Sequence, residues 1–246
     1  AESMIKAVIF DLDGTLVQTE KLKALSYARA AVELCPYQLQ EEQVLEAFKK
    51  VVGLSRQEVA TKLVEQFDLA AAAGKRQQEF GVSTPWQAFI QVRLRYYRKI
   101  LSEPAVIKNN QWPHNRALLE KAALEGCQLG LATMSGCQQA NRVLDILELQ
   151  RVFDFIATRD DVKLGKPNPE IYLLVSRILQ VEPGACLVVE DSPSGVQAAL
   201  SAGMKVMAVA TPYTREQLSE SDLLSQEQIA AQPEEVEKIF EEMFQF

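Results

Sequence analysis

The residues of this chain best suited to chemistry are carboxylates, a hydroxyl and an ammonium at four well-separated points. They are Asp11 and Asp13 in Asp11-Leu12-Asp13-Gly14-Thr15, Thr133 after Leu131-Ala132, Lys166 ahead of Pro167, and the pair Glu190-Asp191. Carboxylates gathered with no histidine among them and no arginine cluster opposite repel one another, and a divalent cation relieves that repulsion. Oxygen ligands that leave room for water and phosphate suit Mg2+, which takes one or two carboxylates besides substrate oxygens. An aspartate beside a phosphoryl group held in this way can attack it and form an aspartyl-phosphate. The transferring group carries its charge on equatorial oxygens, so positioned donors and cations do most of the work. Thr133 and Lys166 are suited to that part, with Met134 and Ser135 next in the chain as further substrate-binding residues. One histidine, His114, is present, so Ser-His-Asp or Cys-His catalysis would rest on it alone. Its place in Trp112-Pro113-His114-Asn115 reads instead as a surface residue at a helix entry.

The elements that must position these residues are legible in the apolar pattern. Ile5 to Phe10 is a short β-branched and apolar run that stops at Asp11, as a buried strand does on reaching a functional loop. Leu25, Ala28 and Val32, then Val59, Leu63 and Phe67, then Trp86, Phe89, Ile90, Leu94, Tyr97 and Leu101 recur at helical spacing with no strand between them. After Pro113 the pattern alternates. Helices are expected at 116–125, 138–147, 168–179 and 193–202, and strands at 128–132, 155–157, 186–189 and 206–209. The expected fold class is therefore α/β, a Rossmann-like parallel sheet core with an inserted all-helical domain. The expected division is residues 1–17 and 109–246 for the core and 18–108 for the insert. Ligands of open parallel sheets bind beyond the carboxyl ends of the strands, where Asp11, Asp13, Thr133, Glu190 and Asp191 all fall.

Composition narrows the partners. A net charge of -7 offers no general attraction to nucleic acid or anionic lipid, so neither is an expected partner, and an anionic substrate must be held by local charge. Four cysteines, Cys35, Cys127, Cys137 and Cys186, lack zinc-site spacing and are expected as reduced core residues. The opening Ala1-Glu2-Ser3-Met4 has no basic n-region and the apolar run after it is short, so a cytoplasmic location is expected, with an organellar one left open. Oligomeric state is not legible.

With these residues in view the chain resembles the haloacid dehalogenase superfamily. Asp11-Leu12-Asp13-Gly14-Thr15 is similar to the first signature of that superfamily, Leu131-Ala132-Thr133 to the second, Gly165-Lys166-Pro167-Asn168-Pro169-Glu170 to the third, and Val188-Val189-Glu190-Asp191-Ser192-Pro193-Ser194-Gly195 to the fourth. The resemblance implies Asp11 as nucleophile and metal ligand, and Asp13 as general acid/base whose carbonyl also reaches the metal. It implies Asp191 as the other direct ligand, Glu190 as a direct or water-mediated one, and Thr133 and Lys166 as the clamp on the phosphoryl oxygens. Members with glycine in place of Glu190 carry an aspartate four residues after Asp191, where this chain has Gly195, a residue that also suits close helix packing.

Asp13 points to phosphoryl transfer, since dehalogenases lack the second aspartate. The implied activity is an Mg2+-dependent phosphatase acting on a small phosphorylated metabolite. A mutase similar to β-phosphoglucomutase shares the Glu-Asp form but has histidine where this chain has Lys23, and a non-catalytic binding protein is the remaining alternative. The helical insert would be the cap that excludes water and reads the leaving group. Gly53-Leu54-Ser55-Arg56 resembles a cap loop that reaches toward substrate, with Arg56 taking a second phosphate or sugar hydroxyls. The alternative is a surface arginine behind a helix cap at Ser55.

Overall fold

The structure is a computed structural model that describes residues 4–244, so Ala1-Glu2-Ser3 lies outside the described residues. Four consecutive buried residues form the first strand, β1 (Ala7–Phe10). A helical stretch follows: α1 (Thr19–Leu34), α2 (Glu41–Phe48), α3 (Arg56–Gln66), α4 (Ala70–Gly74), α5 (Gln77–Phe80), α6 (Pro85–Ser102) and α7 (Pro104–Asn109). Alternation then sets in: α8 (Pro113–Leu124), β2 (Gln128–Ala132), α9 (Cys137–Ile146), β3 (Phe155–Ala157), α10 (Glu170–Leu179), β4 (Cys186–Glu190), α11 (Pro193–Ser201), β5 (Lys205–Val209), α12 (Arg215–Ser221), β6 (Ile229–Ala230) and α13 (Val236–Met243). The chain divides into two compact units, Ala1–Gln18 with Ile107–Phe246, and Thr19–Val106. Gln18 goes with the first because its backbone N–H donates to the Asn110 carbonyl at 2.7 Å and its side-chain amide to that of Gln111 at 3.1 Å.

The first unit is built on a sheet of order β3-β2-β1-β4-β5-β6, every pair parallel. Parallel strands need crossover connections, which the intervening helices supply, and burial on both faces explains why β1 and β4 are apolar runs without alternation. Strand order reverses at β1, with β2 and β3 on one side and β4 to β6 on the other. The pattern read from the sequence ends at Val209, whereas the sheet continues through α12, β6 and α13. Val236, Ile239 and Phe240 of α13 are buried at helical spacing, a signal present in the sequence. Two cysteines depart from the core expectation. Cys127 and Cys186 are buried, but Cys137 is exposed at the first position of α9 and Cys35 is only half-buried after α1. His114 is exposed in the first turn of α8.

In the second unit α1 packs against both α2 and α6. Tyr27 of α1 stacks on Phe48 of α2 at 5.6 Å between ring centroids and tilts against Phe89 of α6 at 5.8 Å. Helix α6 starts at Pro85 behind a reciprocal cap, in which Thr84 accepts from the Gln87 N–H and Gln87 Oε1 accepts from the Thr84 N–H. Ser55 and Glu58 make the same device for α3. Among the described residues no helix is long and apolar enough to cross a membrane.

Gly130 in the middle of β2 lets α10 pack close against the sheet, since a Cβ there would stand 2.6 Å from Val175 Cγ1 of α10. Gly130→Ala is therefore expected to destabilise the protein by about 1–3 kcal/mol through overpacking, read as a lower urea midpoint with unchanged slope.

Candidate active site

Register assembles the site. Phe10 pairs with Leu131 of β2 on one side and with Val189 of β4 on the other. The next residue along each strand is then Asp11, Ala132 and Glu190, level with one another at the carboxyl edge, and Thr133 and Asp191 come one step further. The Asp11 N–H still bonds to the Val189 carbonyl at 3.0 Å and the Thr133 N–H to that of Ala157 at 3.0 Å, so both side chains leave a fixed backbone.

Lys166 joins the three strands. Its ammonium is 2.9 Å from Asp11 Oδ1, 2.6 Å from Glu190 Oε1 and 3.0 Å from the Ala132 carbonyl. Those are its three donors used, and the side chain is almost wholly buried. Tyr172, from α10, completes the cluster. Its hydroxyl donates to Glu190 Oε1 at 2.5 Å, and its ring lies 5.1 Å below the Lys166 ammonium. Glu190 Oε2 accepts from the Asp191 N–H at 3.1 Å, which leaves Glu190 heavily engaged by protein donors. On the other side of Asp11, Thr15 donates to Oδ2 at 3.1 Å, and Asn115 fixes the Thr15 turn by donating to its carbonyl at 2.8 Å.

Asp13 has different company. Its Oδ2 accepts from Thr133 Oγ1 at 3.0 Å and Ser135 Oγ at 2.6 Å, and the residue is half-buried where Asp11 is buried. Thr133 and Ser135 thus hold a carboxylate. Met134, between them, uses its side chain structurally, its sulfur accepting from the Lys166 N–H at 3.4 Å.

Two glycines make the packing possible. Gly14 has φ +87°, and a Cβ on it would lie 2.1 Å from Asp191 Oδ2. A Cβ at Gly195 would lie 2.0 Å from Glu190 Cδ. Residue 195 and the Glu190 carboxylate claim the same space, so glycine at 195 is a steric requirement of Glu190 beyond any general helix packing.

The electrostatics follow from burial. The Asp11 carboxyl is raised from its ordinary 3.8 to about 7, first by burial and next by the Glu190 charge, with Lys166 only partly offsetting them. Burial opposes the charged form of Lys166 as well, but Asp11 and Glu190 together hold its pKa above the ordinary value. Burial and then Glu190 push the Tyr172 hydroxyl well up, which keeps it a donor. Three buried carboxylates, Asp11, Glu190 and Asp191, each present an oxygen within 4.8 Å of the others against one ammonium. An all-oxygen donor set with uncompensated negative charge fits a hard divalent cation such as Mg2+. The Asp13 carboxylate is not part of that trio.

The sheet unit therefore brings together Asp11, Asp13, Thr133, Met134, Ser135, Lys166, Glu190 and Asp191. Gly53 and Arg56 belong to the other unit, where they line a cavity with Lys23, Tyr27 and Arg93. Arg56 is exposed in the first turn of α3 behind the Ser55 cap. Tyr172, Thr15 and Asn115 are the site residues whose contacts sequence reasoning misses. Tyr172 carries a faint signal, being a large side chain with a polar tip on the mostly apolar buried face of α10, which it shares with Ser176.

A sequence model of the family described as haloacid dehalogenase-like hydrolase matches residues 8–209. A Thermotoga maritima protein named phosphorylated carbohydrates phosphatase is 33% identical over 202 residues, covering 82% of this chain and 83% of that one. A Shigella boydii protein named phosphoglycolate phosphatase is 29% identical over 240 residues, covering 90% and 89%. The crystal structure of β-phosphoglucomutase from Clostridium difficile shares the fold, with a TM-score of 0.61, 24% identity and coverage of 98% of this chain and 99% of that one. With the family match running from β1 through β5 and the strand-end carboxylates, hydroxyl and lysine gathered at one edge of the sheet, the chain belongs to the haloacid dehalogenase-like hydrolase family.

Proposed function

We propose that this protein is an Mg2+-dependent phosphatase that hydrolyses a small phosphorylated metabolite, a sugar phosphate or similar phosphomonoester, through an aspartyl-phosphate on Asp11. The observation that carries the reading is the unequal environment of two aspartates two residues apart. Asp11 is buried against Lys166 and Glu190, whereas Asp13 is half-buried and held by two hydroxyls. Two carboxyls in such different settings suit two roles, nucleophile and proton carrier. The names of the phosphatase relatives support the same class of substrate.

In this mechanism an Asp11 carboxylate oxygen forms a bond to phosphorus as the bond to the leaving oxygen breaks, and protonated Asp13 gives that oxygen its proton. Asp13, now a carboxylate, takes a proton from water as the water oxygen attacks phosphorus, the Asp11–phosphorus bond breaks and phosphate leaves. Thr133 and Ser135 hold Asp13 in reach of both events, each through its one hydroxyl proton, so the Thr133 hydroxyl would have to turn from Asp13 to donate to a phosphoryl oxygen. Lys166 keeps Asp11 oriented and offsets charge on the transferring group. Asp11 and Asp191, with the Asp13 carbonyl, would hold Mg2+ directly, and Glu190, already accepting from Lys166, Tyr172 and the Asp191 N–H, would act through water. Bound there, Mg2+ supplies positive charge that neutralises the clustered carboxylates and phosphoryl oxygens. The helical unit would serve as the cap that excludes water and selects the leaving group, with Gly53 and Arg56 among its substrate contacts.

Purified protein is expected to hydrolyse an aryl phosphate with Mg2+ and to stop in excess chelator, and Asp11→Asn is expected to abolish turnover in a folded protein. Normal turnover by that variant, followed as phosphate release, would reject Asp11 as nucleophile.

Lys23 in place of the mutase histidine sets the second expectation. Given β-glucose 1-phosphate with a trace of the 1,6-bisphosphate, the enzyme should release inorganic phosphate and accumulate little glucose 6-phosphate. Rapid isomerisation with negligible phosphate release would favour the mutase.

The raised Asp11 pKa gives a third. A carboxyl whose pKa is about 7 folded and 3.8 unfolded keeps a proton in the folded state across that window, so metal-free stability should fall as pH rises from about 4 to 7 and level off above it. Thermal midpoints of metal-free Asp11→Asn should lack that fall, and identical pH profiles for the two proteins would contradict the assignment.

A further inference from the structure

Glu190 faces the buried cluster with most of its acceptor capacity already used. Its Oε1 accepts from the Lys166 ammonium at 2.6 Å and from the Tyr172 hydroxyl at 2.5 Å, and its Oε2 accepts from the Asp191 N–H at 3.1 Å. A carboxylate has about four such acceptor positions, so protein donors fill all but one of them. The backbone of α11 closes on the same group and restrains it from turning, since a Cβ at Gly195 would stand 2.0 Å from Oε1 and 2.2 Å from Oε2.

Two of these donors are inherent in the site. Lys166 also holds Asp11 and the Ala132 carbonyl, and the Asp191 N–H belongs to the peptide that joins two strand-end carboxylates. Tyr172 is different. It comes from α10 and is 0% exposed, and among the described residues its hydroxyl bonds to Glu190 Oε1 alone. Its ring packs in the apolar core and lies 5.1 Å from the Lys166 ammonium, two contacts that a phenylalanine would keep. What the hydroxyl adds is one filled acceptor position on Glu190.

That position matters because divalent cations differ in how many protein oxygens they take. Mg2+ uses one or two carboxylates in a strict octahedron and keeps several waters, whereas Ca2+ gathers roughly six to eight oxygens in a flexible shell and often uses both oxygens of a carboxylate. Asp11, Glu190 and Asp191 each bring an oxygen within 4.8 Å of the others, so a Glu190 released from Tyr172 has a lone pair to add to the same cation.

We propose that Tyr172 is a positioning residue for metal choice, whose hydroxyl, by holding Glu190 Oε1 together with Lys166, keeps the site poor in free carboxylate oxygens and so favours Mg2+ over Ca2+. The role rests on the Mg2+ reading of the site proposed above and adds to it the residue that sets the choice of cation.

The thermal midpoint of the intact, metal-free protein is followed with added magnesium chloride or calcium chloride at constant ionic strength, since a cation that binds the folded state raises the midpoint according to its affinity. No turnover enters the measurement. Tyr172→Phe keeps the ring and removes only the hydroxyl. It is expected to bind Ca2+ roughly 10-fold more tightly than the wild-type protein, with Mg2+ affinity changed by less than about 3-fold, because a freed oxygen suits the larger shell. Ser176→Ala is the control for loosened packing, as it takes a buried hydroxyl from the same helix, one that donates to the Val181 carbonyl at 2.5 Å rather than to Glu190. It should leave the ratio of Mg2+ to Ca2+ affinity where it is. An unchanged ratio in Tyr172→Phe, or an equal change in Ser176→Ala, overturns the proposal and leaves the Mg2+ reading standing. Wild-type protein that binds Ca2+ as tightly as Mg2+ overturns it in the same way, and wild-type protein that binds neither cation removes both.

Discussion

Three carboxylates and one ammonium share a volume from which water is nearly excluded, and the rest of the sheet unit can be understood as what that arrangement demands. Asp11, Glu190 and Asp191 are each at most 6% exposed, and the Lys166 ammonium is spent on Asp11, Glu190 and a carbonyl. Buried charges are tolerated only when paired and hydrogen-bonded, and one cation among three anions leaves the cluster short of positive charge. Burial first, and the Glu190 charge after it, raise the Asp11 carboxyl to about 7. Such a site is costly to fold around, a cost that a divalent cation held by the three carboxylates would lower.

Holding the cluster requires precise backbone placement, which explains several residues outside it. The parallel register puts Asp11 between Ala132 and Glu190, and the left-handed Gly14 turns the chain without a side chain that would strike Asp191. Gly195 leaves the first turn of α11 open for the Glu190 carboxylate. A glycine there and a glutamate at 190 are one steric choice, since a side chain at both positions would overlap. Tyr172 binds the same Glu190 oxygen as Lys166, so α10 fixes the lysine loop and the strand end to each other through one oxygen atom.

The helical unit meets the same physical problem in another way. Around Arg93 the desolvated charge is a cation, and aromatic faces replace the counter-charge. Stacking satisfies the faces of the guanidinium and leaves its edge, whereas Lys166, with three donors and three acceptors, is complete.

The sequence by itself determined the fold class and most of the polar groups that the fold gathers at one edge of the sheet. Apolar runs ending in Asp11, Thr133 and Glu190-Asp191 encode a parallel sheet with chemistry at one edge, because strand burial and loop polarity are properties of local composition. What it left unsaid depends on which atoms meet across the chain. Thr133 and Ser135 read equally well as donors to a phosphoryl group, and only the folded backbone shows both hydroxyls on Asp13. Cys137 has the composition of a core residue, yet helix phase at the start of α9 turns it outward. The elements after Val209 carry short or interrupted patterns, and it is docking beside β5 that makes strand β6 from two residues. Arg93 sits in sequence like any surface arginine of a long helix; its burial between two tyrosines is decided by the packing of α1 against α6, a contact between residues 67 positions apart that no local pattern records.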